Sequence, residues 1–156
     1  MTQPVAVERR APVAKPYGAG LLIGIGLMAA VDEIVFHQLL GWHHFYDRGT
    51  TQVGLVSDGI LHAAELVALV AGFFLLADAR RRSSPLGLSP WAGLLVGLGV
   101  FQLWDGLVNH KVLRLHQVRY DVDLLPYDLA WNGAAALLLA VGTVLTIVAI
   151  KRRRRG

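Results

Sequence analysis

The stretch GLLVGLGVFQLWDGLVNHKVLRLH, residues 93–116, starts as a membrane-spanning run and then departs from one. From Gly93 to Leu103 it is almost wholly apolar. Asp105 and His110 follow at a depth where lipid-compatible sequence should continue. Ionisable groups inside a span are expensive and mark functional positions. An earlier stretch, GLLIGIGLMAAVDEIVFHQLLGWH (20–43), has the same design. Sliding the chain by 73 residues aligns 20–44 with 93–117, and 10 of those 25 positions are identical. Shared Leu and Val would mean little, since all membrane helices are rich in them. The register also pairs Gly20/Gly93, Gly24/Gly97, Gly26/Gly99, Asp32/Asp105, His37/His110 and His43/His116. That set is hard to obtain by chance and reads as an internal duplication.

The bulk composition agrees with a membrane protein. The chain has 156 residues, 54% of them hydrophobic, and its mean hydropathy is +0.50. Such a chain is too apolar for a soluble domain of this size. Four runs approach the roughly 20 apolar residues that cross a bilayer: Tyr17–Leu40, Gly59–Ala77, Trp91–Val108 and Tyr127–Ile150. The expected fold is all-α, a polytopic membrane protein. Its four transmembrane helices form a bundle built from two tandem helical-hairpin repeats, about 17–78 and 90–150. Residues 1–16 read as a flexible tail, 17–150 as the membrane domain and 151–156 as a basic tail. The first apolar run is long for a cleaved signal peptide and continues into Asp32, Glu33 and His37, so none is expected.

The net charge of +4 is placed for topology rather than for nucleic acid, which is excluded as a partner. Basic residues sit in the N-terminal tail, at Arg80–Arg82 and at Lys151–Arg155, three segments that four spans put on one side. The positive-inside rule makes that side cytoplasmic, giving a plasma-membrane protein with both termini inside. The third connection, with Lys111, Arg114 and Arg119, is a weaker contrary signal. The bilayer is the expected partner. A homo-oligomer or a respiratory or metal-handling membrane partner is compatible with the sequence.

Each repeat has two spans, so both copies enter the membrane in the same orientation. Equivalent residues then lie at equal depth and can face one another. All six histidines fall in the half away from the cytoplasm, together with a set of carboxylates. The second halves of the repeats, SDGILHAAEL and YDLAWNGAAA, align at an offset of 70 and pair Asp58 with Asp128 and His62 with Asn132. A pocket of Asp, His and Asn from every helix is expected, opening outward. This is the donor set of Zn, Fe, Mn or Cu(II), and helical bundles build metal sites in this way. The proposed ligands are His37, His43, His62, His110, His116, Asp32, Asp58, Asp105, Asp128 and Asn132. Without cysteine, thiolate sites are excluded. Asp58 and Asp128 read equally well as first-turn caps. His44 aligns with Gln117 and reads as interfacial, and Glu65 aligns with Ala135. For the central Asp and His residues the competing reading is a hydrogen-bonded network that only holds the bundle together. Haem, with His37 and His110 as axial ligands, is a lesser alternative because the carboxylates crowd a porphyrin slot.

The segments VDEIVFHQLLGWHH, SDGILHA, WDGLVNHKVLRLHQV and YDLAWN resemble a bacterial family of four-span membrane proteins, domain of unknown function 2243, over residues 17–150. The resemblance implies an integral membrane protein without an assigned reaction, in a setting of respiratory oxidase assembly. Function therefore reads as metal handling or oxidase assembly. Alternatives are a metal-dependent membrane oxidoreductase or hydrolase, a small ion or proton-coupled transporter, and a haem-binding bundle.

Overall fold

The computed structural model describes residues 14–82 and 86–155. The expected tail 1–16 lies outside them up to residue 13. Four helices follow in order: α1 (Ala14–Val31), α2 (Thr51–Arg82), α3 (Ser89–Trp104) and α4 (Leu124–Arg155). Wider π-helical turns continue α1 over Asp32–Leu39 and α3 over Asp105–Val112. All four helices are long and apolar enough to cross a membrane. At 1.5 Å per residue the 32-residue α2 and α4 exceed a hydrocarbon core of about 30 Å. Their ends therefore project into the interfaces, and α4 carries Lys151–Arg155 as helix rather than as a separate tail.

The inner pair is α1 and α3, with α2 packed on α1 and α4 packed on α3. Helices in lipid gain no hydrophobic drive from meeting one another, so close backbone contact has to hold them. The glycines provide it. A Cβ on Gly20 would collide with the Pro90 carbonyl, and one on Gly93 with the Tyr17 carbonyl. Gly24 faces the Leu94 carbonyl as Gly97 faces that of Leu21. Partners 73 positions apart thus exchange roles across one seam. The flanking helices dock in the same manner, Gly26 against α2 at Glu65 and Leu69, and Gly99 against α4 at Ala135 and Leu139. Outward faces of α2 and α4 present Val56, Ile60, Val67, Phe74, Leu129 and Leu137 to lipid.

Both inner helices end identically. Leu40 N–H donates to the Val35 carbonyl and Trp42 N–H to that of Phe36, each at 2.9 Å. Leu113 and Leu115 repeat this onto Val108 and Asn109. Gly41 and Arg114 then take left-handed backbone, at φ 56° and 52°, which reverses the chain. The two outer loops interlock, with Asp47 N–H on the Leu115 carbonyl and the Arg48 guanidinium on that of Leu113.

Candidate metal centre

The π-helical turns decide which side chains meet. In an α-helix, residues five apart point about 140° away from each other. Widened i→i+5 turns reduce that angle and bring Asp32 over His37 and Asp105 over His110. His37 Nε2 stands 3.6 Å from Asp32 Oδ2, and His110 Nε2 stands 2.9 Å from Asp105 Oδ2. The left-handed turns then carry His43 and His116 back over the helix ends. Their rings stack 4.5 Å apart and 4° from parallel, with His37 and His110 edge-on at 4.6 and 4.7 Å.

Backbone of the opposite loop orients the stacked pair. His43 Nδ1 donates to the Val118 carbonyl at 2.9 Å, and His116 Nδ1 donates to the Phe45 carbonyl at 2.8 Å. A carbonyl only accepts, so both rings carry hydrogen on Nδ1 and a lone pair on Nε2. Burial, and after it the neighbouring His116 and His37 rings, hold the His43 pKa down to about 2. His37 is fixed differently, its Nδ1 donating to Glu33 Oε2 at 2.7 Å with Asp58 Oδ1 at 3.3 Å. Its Nε2 is likewise left as an acceptor.

Those acceptors converge without donors. His37, His43 and His116 Nε2, with Asp32 Oδ2, are all buried and have no hydrogen-bond partner, and Asp105 Oδ2 stands against His110 Nε2 alone among the cluster's histidine nitrogens within 3 Å. His116 Nε2 and Asp105 Oδ1 face each other at 3.4 Å. Each orphaned group costs about 1–3 kcal/mol, a severe total for a fold of ordinary stability. Carboxylates add to the problem. Asp32, Glu33, Asp58, Glu65 and Asp105 are at most 2% exposed, and their ion-pair partners are histidines. Buried acceptors around excess negative charge suit a cation, with His37, His43 and His116 each oriented through Nδ1 as metal-bound histidines are. Three overlapping groups place their ligand-capable atoms within 4.8 Å of one another. They are His37/His43/His116, Asp105/His110/His116 and Glu33/His37/Asp58.

The structure therefore brings together Asp32, His37, His43, Asp58, Asp105, His110 and His116 from the sequence-derived set. It does not bring in His62, Asp128 or Asn132. The His62 side chain is half exposed and pairs with Glu65 at 2.5 Å. Asp128 pairs with Lys111 at 2.6 Å, and Asn132 donates to the Asp128 carbonyl within its own helix. Helix α4 meets the cluster through Trp131, whose ring centre is 6.3 Å from that of His110. The capping reading of Asp58 also fails, because α2 begins at Thr51 and Asp58 lies two turns inside it. There it accepts from the Phe45 N–H and from His44 Nδ1, so His44 supports the cluster instead of facing the interface. Capping of α4 falls to Asp123, which accepts the Leu125 N–H. The sequence shows Glu33 on the face of His37, but the proposed ligand set omits it, its counterpart being Gly106. Its i, i+4 spacing to His37 was the available signal.

Comparison with curated proteins and with solved structures gives no match. The family described as predicted membrane protein (DUF2243) matches residues 19–149, most of the chain and every residue of the His/Asp cluster. The chain belongs to that family of membrane proteins, DUF2243.

Proposed function

We propose that this membrane protein carries a resident transition-metal centre. His37, His43, His110 and His116 ligate with Asp32 and Asp105, while Glu33 and Asp58 orient His37. The observation that carries the reading is the convergence of unpartnered Nε2 and carboxylate atoms in a buried space. Imidazole and carboxylate donors suit Zn, Fe, Mn or Cu(II). The His43 and His116 rings lie within 4.6–6.2 Å of both His37 and His110 and occupy the space a macrocycle would need between those two, which weighs against haem.

Ligand side chains at 0–1% exposure favour a retained ion over a delivered one. A metal-dependent membrane oxidoreductase or hydrolase therefore fits better than a delivery protein. Metal handling in respiratory oxidase assembly is the second reading, supported by the cluster's position under the two outer loops on the side away from the basic segments. Transport has least support, since below the site α1 and α3 are closed by their glycine seam. The same reading places both termini in the cytoplasm of a plasma-membrane protein, on the strength of the basic segments. A reporter fused after Arg155 that is active only outside the cell would reverse it.

Elemental analysis with an optical spectrum of detergent-purified protein tests the centre, beside a His37→Ala/His110→Ala variant. Stoichiometric metal in the parent and none in the variant is expected. A metal-free, haem-free parent at neutral pH without chelator would leave only the structural Asp–His network. Retention over hours against a soluble chelator separates a resident centre from a delivery site.

A further inference from the structure

The proposed ligands divide by repeat. Asp32, His37 and His43 recur as Asp105, His110 and His116 at the same spacing. Contacts in space follow that division. Asp105 faces His110 Nε2 at 2.9 Å and His116 Nε2 at 3.4 Å, and Asp32 faces His37 Nε2 at 3.6 Å. The His37 and His43 rings are centred 4.6 Å apart, and the His110 and His116 rings 4.7 Å apart. The crossed pairs, His37 with His116 and His43 with His110, are wider, at 6.0 and 6.2 Å.

The stack of His43 on His116 lies where the two sets meet, and it decides how many ions they hold. A two-fold set of ligands takes either one ion on its axis or one on each side. An imidazole nitrogen binds metal along its lone pair, which lies in the ring plane. Two rings therefore share an ion only where their planes cross, and these planes are 4° from parallel. Stacked rings approach no closer than about 3.5 Å. An ion midway would stand about 1.7 Å out of both planes, on a bond of only about 2.0–2.1 Å. Neither ring is free to turn toward it, because each is held at Nδ1 by backbone of the other loop. Charge favours the larger count as well. Asp32, Glu33, Asp58, Glu65 and Asp105 are buried together. One divalent ion offsets two carboxylates and a pair offsets four, and bare charge at this depth is costly.

We infer that the metal centre is dinuclear, with one ion on Asp105, His110 and His116 and the other on Asp32, His37 and His43. The dinuclear centre rests on the metal reading above and adds to it a count and a partition. Ligand-capable atoms of His43 and His116 lie within 4.8 Å of each other. That puts the ions on the order of 4 Å apart, as in two-metal catalytic sites. Three protein ligands per ion are the complement of a catalytic site and leave a position for water or substrate. The halves stay interdependent, since each stacked ring is oriented by the other repeat's loop.

The test counts ions. The full chain in detergent is stripped with a chelator and dialysed against Zn(II), and bound zinc is measured by elemental analysis. Two ions per chain are expected in the parent. Asp105→Asn/His110→Gln and Asp32→Asn/His37→Gln should each keep one. The parent loaded with Cu(II) should show spin–spin coupling in its EPR spectrum, a readout that needs no variant. One ion in the parent, lost in both variants, would overturn the inference and leave a single centre drawn from both repeats. Two ions without coupling would put the second outside the cluster and overturn it too. No ion in the parent would remove the metal reading itself, and this inference with it.

Discussion

His43 and His116 lie face to face, 4.5 Å apart and 4° from parallel, each held at Nδ1 by a carbonyl of the other's loop. The two rings thus add to the loop–loop bonds made by Asp47 and Arg48. Both rings carry hydrogen on Nδ1, and each leaves a buried Nε2 without a partner. Stacking alone does not explain that arrangement, because it leaves both nitrogens unpaired. Bound metal would pair them both. His43→Ala or His116→Ala should therefore weaken metal binding by at least about 100-fold, above the range for orienting partners. Competition against a chromophoric chelator measures it, and a loss under threefold would remove these two residues from the ligand set.

Glu33 acts on the metal through His37 and does not need to touch it. Its carboxylate takes the His37 Nδ1 proton at 2.7 Å and also accepts from the Gln38 amide. Glu33→Gln should lower metal affinity about 10–100-fold, the usual cost of losing such a partner. His37→Ala should cost more. If the two variants bind metal equally, Glu33 is a ligand in its own right.

Three residues picked from the sequence should prove dispensable for the metal. His62→Ala, Asp128→Asn and Asn132→Ala are expected to keep parent stoichiometry. His62 is half exposed, and the other two engage Lys111 and their own helix. Metal loss in His62→Ala would mean that α2 rotates in the loaded protein.

The four apolar helices and the Asp and His positions that recur at one offset were legible in the sequence, because hydropathy and that fixed offset carry them. Two things were not. Helical periodicity assumed α geometry, in which Asp32 and His37 diverge, and the π-helical turns that unite them have no compositional mark. The repeat also favoured residues present twice. It promoted Asp128 and Asn132 over Glu33, although Asp128 pairs with Lys111 and Glu33 has Gly106 at the matching offset. Where the copies agree, at Asp32/Asp105, His37/His110 and His43/His116, the structure gathers the residues.

Gly41 and Arg114 test the turn that carries the stacked histidines. Both have left-handed φ, which costs a residue with a Cβ about 1–2 kcal/mol. Gly41→Ala should destabilise the protein by roughly 1 kcal/mol, and Arg114→Gly should stabilise it by a similar or smaller amount. Opposite shifts in an SDS-unfolding titration are the expected result. Equal shifts of one sign would show that the two turns are not equivalent.

The glycine seam makes the sharpest stability prediction, because glycines of the inner helix pair should respond in opposite ways. A Cβ on Gly97 would run into the Leu21 carbonyl and crowd Gly24, whereas one on Gly18 meets nothing within 4 Å. Backbone cannot yield as a side-chain tip can, so Gly97→Ala must push α1 and α3 apart. The expected cost is about 1–3 kcal/mol, that of overpacking a tight core. Gly24→Ala should match it from the other side of the seam. Gly18→Ala should be neutral or stabilising by about 0.5–1 kcal/mol, through helix propensity alone. Separating α1 from α3 also separates Asp32 and His37 from Asp105 and His110, so Gly97→Ala should lose metal affinity although it lies about two turns from Asp105. Gly18→Ala should keep it. Retained affinity in a destabilised Gly97→Ala protein would show that the interlocked outer loops, and not the seam, hold the two halves of the cluster together.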